Sequence, residues 1–283
     1  MAGLLRLVLE KVKAWLSLIR IGNVSMMGLA TIVGYVSSGG SSIEEMISAA
    51  MVAMLVGAGG NIVNDYFDRF IDAINKPWRP IPSGIISPST AHTVSIGFMI
   101  AGTGLSLLLP SPCFIIAVIA SLLLYEYSRW IKKTGVPGNI VVALLSGLSI
   151  LYGGFAAGNP EASILPSLYA FLLIFGREIY KGIEDVEGDR KYGVHTVAVV
   201  LGERAAFIIG TIILLLVIAI SPIPYVMYGY NVFYLILALL GVDTLIVYSI
   251  YLVARNPRNA WRATRVLKIP LLTGLLAFLV GVL

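Results

Sequence analysis

Apolar runs of about 20 residues, the length that crosses a bilayer as a helix, recur along the whole chain and are closed off by glycine, proline or charged residues. They fall near 21–37, 44–66, 89–109, 112–130, 138–158, 162–184, 203–221, 232–254 and 265–283. This pattern predicts an all-α, polytopic membrane bundle of about nine transmembrane helices. The segment ahead of them, MAGLLRLVLEKVKAWLSLIR, differs in kind. Arg6, Lys11, Lys13 and Arg20 are spread among its apolar residues and no small-residue cleavage site follows. It reads as an amphipathic helix lying on the membrane surface, not as a signal peptide.

Composition agrees with the pattern. Of 283 residues, 58% are hydrophobic and 12% charged, with a mean hydropathy of +0.91, too apolar for a water-soluble globule. Nine spans and short connections use up the length, so residues 1–283 are expected to form one transmembrane domain. Cys113 is the single cysteine, so no internal disulfide can form and nothing points to a thiolate metal site or redox pair.

Charge then orients the bundle. The 20 Lys and Arg fall into groups of four, three, three, five and five, located at the N-terminal segment and after the second, fourth, sixth and eighth spans. The odd connections, around 38–43, 110–111, 159–161 and 222–231, contain none. Basic residues gather on the cytoplasmic side of short loops, so the N-terminus and every even loop are expected in the cytoplasm of a cell-membrane protein. The net charge of +5 belongs to that face and suits anionic lipid and phosphate; nothing points to nucleic acid.

Acids are as uneven as bases. Of 15, three lie in 65–72 (Asp65, Asp68, Asp72) and five in 178–189 (Glu178, Glu184, Asp185, Glu187, Asp189), both windows at cytoplasmic ends of spans. In a continuing helix Asn64, Asp68 and Asp72 form one stripe, with Asn61 above it, and Glu178, Lys181, Asp185 and Asp189 form another. Stripes of carboxylates at a membrane boundary repel unless cations lie against them. Mg²⁺ bridging a diphosphate meets that need, since it takes one or two carboxylates plus phosphate oxygens. The expected metal ligands are Asn64, Asp68, Asp185 and Asp189, and Lys76, Arg79, Lys132 and Lys181 are the cations beside them. Arg129 and Lys133 read as ordinary positive-inside anchors.

At these residues the sequence resembles the UbiA-type superfamily of intramembrane prenyltransferases. The first motif stands as Asn64-Asp-Tyr-Phe-Asp-Arg-Phe-Ile-Asp72 and the second as Asp185 to Asp189. The resemblance extends to Arg79-Pro-Ile-Pro-Ser-Gly84, to Tyr127-Ser with Lys132, and to Gly188-Asp189 with Gly193, Thr196 and Gly202. It implies nine helices around a central cavity with a side opening to lipid, and Mg²⁺-dependent ionisation of a prenyl diphosphate donor. It also implies catalytic roles for Asp68, Asp72, Asp185, Asp189 and Lys132, and substrate contacts from Asn61, Arg79, Tyr127, Lys76, Lys181 and Arg20. Metal ions stabilise the departing diphosphate, and an apolar, aromatic-lined cavity keeps water from the allylic cation. Tyr125 and Tyr127 are candidates for facing that cation.

The acceptor is read from two segments, Ile74-Asn-Lys-Pro-Trp-Arg-Pro80 and Arg177 to Asp189, which look most like the ether-lipid branch that prenylates geranylgeranylglyceryl phosphate. An aromatic acceptor such as 4-hydroxybenzoate is the alternative. A transporter is the competing class, with Asp243 in the eighth span as its candidate residue; a hydrogen-bonded structural role is the other reading of Asp243. The Asp-Gly-x-x-Ala-Arg signature of phosphatidyl-alcohol transferases is absent. His92 and His195 have no second histidine or cysteine at ligand spacing and are expected to be solvated or capping. Glu126 either assists the site or pairs with a neighbouring base.

Overall fold

A computed structural model describes the backbone of residues 2–283 and the side chains from residue 8 onward, so the side chain of Arg6 lies outside the described residues. Among these residues every regular element is a helix. Eight helices, some in two or three pieces, are long and apolar enough to cross a membrane. The remaining expected span, 21–37, is α2 (Ile21–Ser37), which reaches the length needed to cross only if joined to Val8–Ile19 of α1 (Ala2–Ile19), the two turning by 48° at Arg20, a non-glycine residue at φ 56°. The helices sort into two compact units.

The first unit comprises residues 1–31 and 42–129. It holds α1, the start of α2, α3 (Ile43–Asn75), α4 (Pro88–Leu105) and α5 (Ser111–Arg129). Helix α3 begins where Ser42 accepts a hydrogen bond from the Glu45 amide (3.2 Å), with Glu44 and Glu45 placed against the positive end of the helix dipole. It runs on past the expected end near 66 and carries the first acidic window on its last turns. Ser87 caps α4 and Pro88 occupies its first turn, where a missing N–H costs nothing. In lipid, packing depends on close approach, and a glycine supplies it here. A Cβ on Gly59 of α3 would crowd Met99 and the Ser95 carbonyl of α4. Toward the acidic end, Leu18 of α1, Ile62 of α3 and Ile81, Ile86 and Ala91 form a buried cluster.

The second unit comprises residues 32–41 and 130–283. It contains the end of α2, then α6 (Val136–Ala156), α7 (Glu161–Glu184), α8 (Val186–Lys191), α9 (Val197–Val200) and α10 (Glu203–Ile220). There follow α11 (Ile223–Met227), α12 (Val232–Leu237), α13 (Thr244–Arg255), α14 (Ala260–Val266) and α15 (Ile269–Val282). The eighth span joins α12 to α13 through a π-helical turn, Ala238–Asp243. A wide turn in lipid leaves carbonyls that need donors. Thr244 Oγ1 donates to the Leu239 carbonyl and Thr273 Oγ1 to that of Gly241, each at 2.8 Å. Asp243, at the end of this turn, is buried and accepts from Ser221 Oγ at 2.6 Å, the structural role among its two readings.

Candidate active site

The first acidic window does not form the single stripe that spacing suggests. At about 100° per residue, Asp72 lies about 80° around α3 from Asn64 but only about 20° from Asp65. The side chains divide accordingly. Asn64 Nδ2 donates to Asp68 Oδ2 at 3.2 Å, and both residues are half-buried, so these two oxygen-bearing groups stay together. Asp65 and Asp72 turn the other way and are 5% and 4% exposed. Arg20 Nη2 donates to Asp65 Oδ1 at 2.6 Å. Arg79 Nη1 donates to the same oxygen at 3.2 Å and to Asp72 Oδ2 at 2.6 Å. Asp72 thus leaves the stripe because a guanidinium on the loop after α3 claims it, a partner that the local pattern of α3 does not reveal.

Asn61 also differs from expectation, since its amide donates to the Ile19 carbonyl at 2.8 Å and ties α1 to α3. Lys76 caps the end of α3, its N–H donating to the Asp72 carbonyl, and its side chain is exposed. Tyr127 sits half-buried near the end of α5. Tyr125, two residues before it and so on the opposite side of α5, packs edge-on against Phe67 (5.5 Å between centroids) and bonds His92 Nε2 at 3.3 Å, while His92 lies 4.7 Å from the Tyr66 ring. His92 is therefore part of an aromatic cluster, not a solvated or capping group. Glu126 approaches Arg129 at 3.7 Å on an exposed surface, the pairing that is one of its two readings.

The second window breaks as well. Helix α7 ends at Glu184, Asp185 stands between helices at φ −97° and ψ 6°, and α8 begins at Val186. Four-residue spacing nevertheless survives the break, because the Asp185 N–H donates to the Lys181 carbonyl (2.9 Å) and the Asp189 N–H to that of Asp185 (2.8 Å). Lys181, Asp185 and Asp189 therefore occupy successive turns. Glu178 leaves the face: it is paired with Arg177 at 2.7 Å, and Arg177 Nε donates to the Thr264 carbonyl at 3.1 Å. Burial and the neighbouring Asp185 charge push the Asp189 carboxyl up to about 6. Such mutual repulsion between two acids is what a bound cation relieves.

Lys132 is half-buried on a short turn, Ile131–Thr134, in the same unit as the second window. Gly135 closes that turn at φ 78°, a conformation open to glycine, and a Cβ there would collide with the His195 carbonyl. The segment after the second motif is thereby held against the base of the Lys132 turn.

Both windows present oxygen donors only, an amide with a carboxylate in one and two carboxylates in the other. That donor set suits Mg²⁺, which completes its octahedron with phosphate and water. Among the described residues, no three His, Cys, Asp or Glu side chains gather closely enough to hold an ion unaided.

A model of the UbiA prenyltransferase family matches residues 26–277, nearly the whole of the chain just described. The chain belongs to the UbiA prenyltransferase family. It is 42% identical over 300 residues to the digeranylgeranylglyceryl phosphate synthase of Hyperthermus butylicus, covering 97% of this chain and 98% of that protein. A solved structure of a digeranylgeranylglyceryl phosphate synthase superposes with a TM-score of 0.79 at 37% identity, covering 96% of this chain and 99% of that one. A UbiA homologue from Archaeoglobus fulgidus, solved bound to DMAPP and Mg²⁺, shares the fold at 16% identity with a TM-score of 0.59, over 94% of this chain and 99% of that one. As a UbiA-family prenyltransferase the protein is a multi-pass membrane enzyme, and its acidic windows coincide with the two motifs that first suggested the family. What sequence reasoning missed in them is the pairing of Asp65 and Asp72 with Arg20 and Arg79; the signal was the seven-residue interval from Asp65 to Asp72, which places both on one line of the helix.

Proposed function

We propose that this enzyme transfers a geranylgeranyl group from its diphosphate to the free hydroxyl of geranylgeranylglyceryl phosphate, a step of ether-lipid synthesis. The observation that carries this reading is the 42% identity, over almost the full length of both chains, to a protein bearing that synthase name. Mg²⁺, when bound, supplies positive charge that stabilises the diphosphate as its bond to the allylic carbon breaks.

The chain's own residues do the rest. Asn64 and Asp68 in the first motif, and Asp185 and Asp189 in the second, are the ligands for Mg²⁺. Arg20, Arg79, Lys132, Lys76 and Lys181 bring positive charge to donor diphosphate and acceptor phosphate. Tyr127 contributes an aromatic face, and the apolar helices exclude water from the allylic cation. The positive-inside partition supports a cytoplasmic N-terminus and a site opening on the cytoplasmic side, where both soluble diphosphate and Mg²⁺ are available. Residues 1–283 act as one prenyltransferase domain.

The test is acceptor preference. Purified protein is incubated with Mg²⁺, geranylgeranyl diphosphate and either geranylgeranylglyceryl phosphate or 4-hydroxybenzoate, and products are identified by mass. The glyceryl phosphate is expected to be prenylated with a kcat/KM at least about tenfold higher, or ~1.4 kcal/mol of transition-state binding. A faster reaction with the aromatic acid would overturn the acceptor assignment and leave prenyl transfer standing.

A further inference from the structure

Asp65 and Asp72 are the most buried acids of the first motif, and both accept hydrogen bonds from arginine side chains. We propose that they are positioning residues which hold Arg20 and Arg79 as a preformed, diphosphate-binding pair, their carboxylates serving the arginines and not the metal. This deepens the reading of the site as one that binds a prenyl diphosphate, and it rests on that reading.

Three observations carry it. First, the acids are already committed: Asp65 Oδ1 accepts from both guanidinium groups and Asp72 Oδ2 accepts from Arg79. A cation entering here would have to displace a guanidinium from a carboxylate that water scarcely reaches. Second, the arginines are only partly used. Their side chains are 33% and 24% exposed. The bonds to Asp65 and Asp72 engage one donor of Arg20 and two of Arg79, while each guanidinium has five. The remaining N–H groups are available to an anion with planar, forked recognition. Third, the backbone is arranged to hold them. Arg20 adopts φ 56°, a conformation that is unfavourable for a residue with a Cβ and that persists where surroundings impose it. Asn61 pins the adjacent Ile19 carbonyl. On the other side, the Arg79 N–H donates to the Lys76 carbonyl (3.0 Å) and its carbonyl accepts from Ser83 (2.9 Å), so Arg79 leaves α3 on a fixed turn.

Sharing Asp65 Oδ1 keeps the two guanidinium groups side by side despite their like charge. With one carboxylate oxygen 2.6 Å from Arg20 Nη2 and 3.2 Å from Arg79 Nη1, the two groups lie close enough to meet one anion together. Without the acids the arginines would separate and would have to be gathered again on each binding event, which weakens binding through entropy.

The experiment compares Asp65→Asn and Asp72→Asn with Asp68→Asn in the full-length, detergent-purified chain, using two readouts. Binding of inorganic pyrophosphate in EDTA reads the arginine pair without metal or turnover, and the Mg²⁺ concentration giving half-maximal turnover reads the metal ligands. Asp65→Asn and Asp72→Asn are expected to weaken pyrophosphate binding in EDTA and raise the donor KM by about fivefold or more, with a smaller change in kcat and a Mg²⁺ half-saturation within about twofold of wild type. Asp68→Asn is expected to shift Mg²⁺ half-saturation without weakening binding in EDTA. Arg20→Lys, which keeps the charge and loses the fork, should reproduce the Asp65→Asn pattern and serves if that variant does not fold. The proposal is overturned if Asp65→Asn or Asp72→Asn shifts Mg²⁺ half-saturation as Asp68→Asn does while leaving pyrophosphate binding in EDTA intact. Loss of transfer in wild type with that binding pattern preserved would instead refute prenyl transfer alone.

Discussion

Replacing Arg79 with methionine retains an apolar stem and removes the guanidinium that answers both Asp65 and Asp72. Asp65 keeps Arg20 at 2.6 Å, so the burden falls on Asp72, which is 4% exposed. Stranding a buried carboxylate in this way typically costs about 3–5 kcal/mol; Arg79 is 24% exposed, so water already screens part of the pair and about 2–4 kcal/mol is the reasonable figure. For a chain of this size that corresponds to roughly 5–12 °C in an apparent melting midpoint. The assay is thermal unfolding of detergent-solubilised protein at fixed protein and detergent concentration, with Arg79→Met and the double variant Arg79→Met/Asp72→Asn measured in parallel. The double variant is expected to recover at least half of the loss, because it no longer buries an unanswered charge. A drop below about 1 °C for the single variant, or a double variant no more stable than the single, refutes the ion-pair account of how the loop is anchored.

Asp68→Ala and Asp185→Ala should each abolish turnover while the protein remains monodisperse and folded by circular dichroism, since removing one acid from a crowded site relieves repulsion in the metal-free state; wild-type-like activity in either disqualifies that residue as a ligand. Cysteines introduced at Lys132 and at Glu161, in a chain with the buried Cys113 replaced by alanine, should be labelled by a membrane-impermeant maleimide only from the cytoplasmic and only from the opposite side, respectively; labelling of both from one side breaks the assigned parity. Gly135→Ala should lower kcat/KM by about tenfold or more by displacing the Lys132 turn from His195, with the midpoint falling by a few degrees. Unchanged kinetics would show that the left-handed turn does not matter to Lys132.

The spans were legible because lipid imposes one requirement everywhere, an apolar helix of sufficient length, and the chain meets it with sharp glycine, proline and charged boundaries. Two acidic windows were legible for a similar reason, as charge has few uses beside a membrane. Finer partition was not. Asn64 with Asp68 follows from four-residue spacing, but the departure of Asp72 depends on Arg79 across a loop, and that of Glu178 on Arg177 and a carbonyl at Thr264, 87 positions from Arg177. The break at Asp185 left no proline or glycine at its own position to announce it, and the π-turn before Thr244 is visible only once Thr273 is seen to answer a carbonyl on it.

Helix α3, at 33 residues, is about 50 Å long, while the hydrocarbon layer it crosses is about 30 Å thick. The surplus of roughly 20 Å is close to the length from Asn61 to its end, which is where every polar group of the first motif resides. A bilayer that thickens or thins by a few ångströms moves its boundary by only two or three residues along this helix, leaving Asp68 in polar surroundings. For an enzyme proposed to manufacture the lipids of its own membrane, this overhang acts as a buffer: the catalyst is insulated from changes in the very material that it produces.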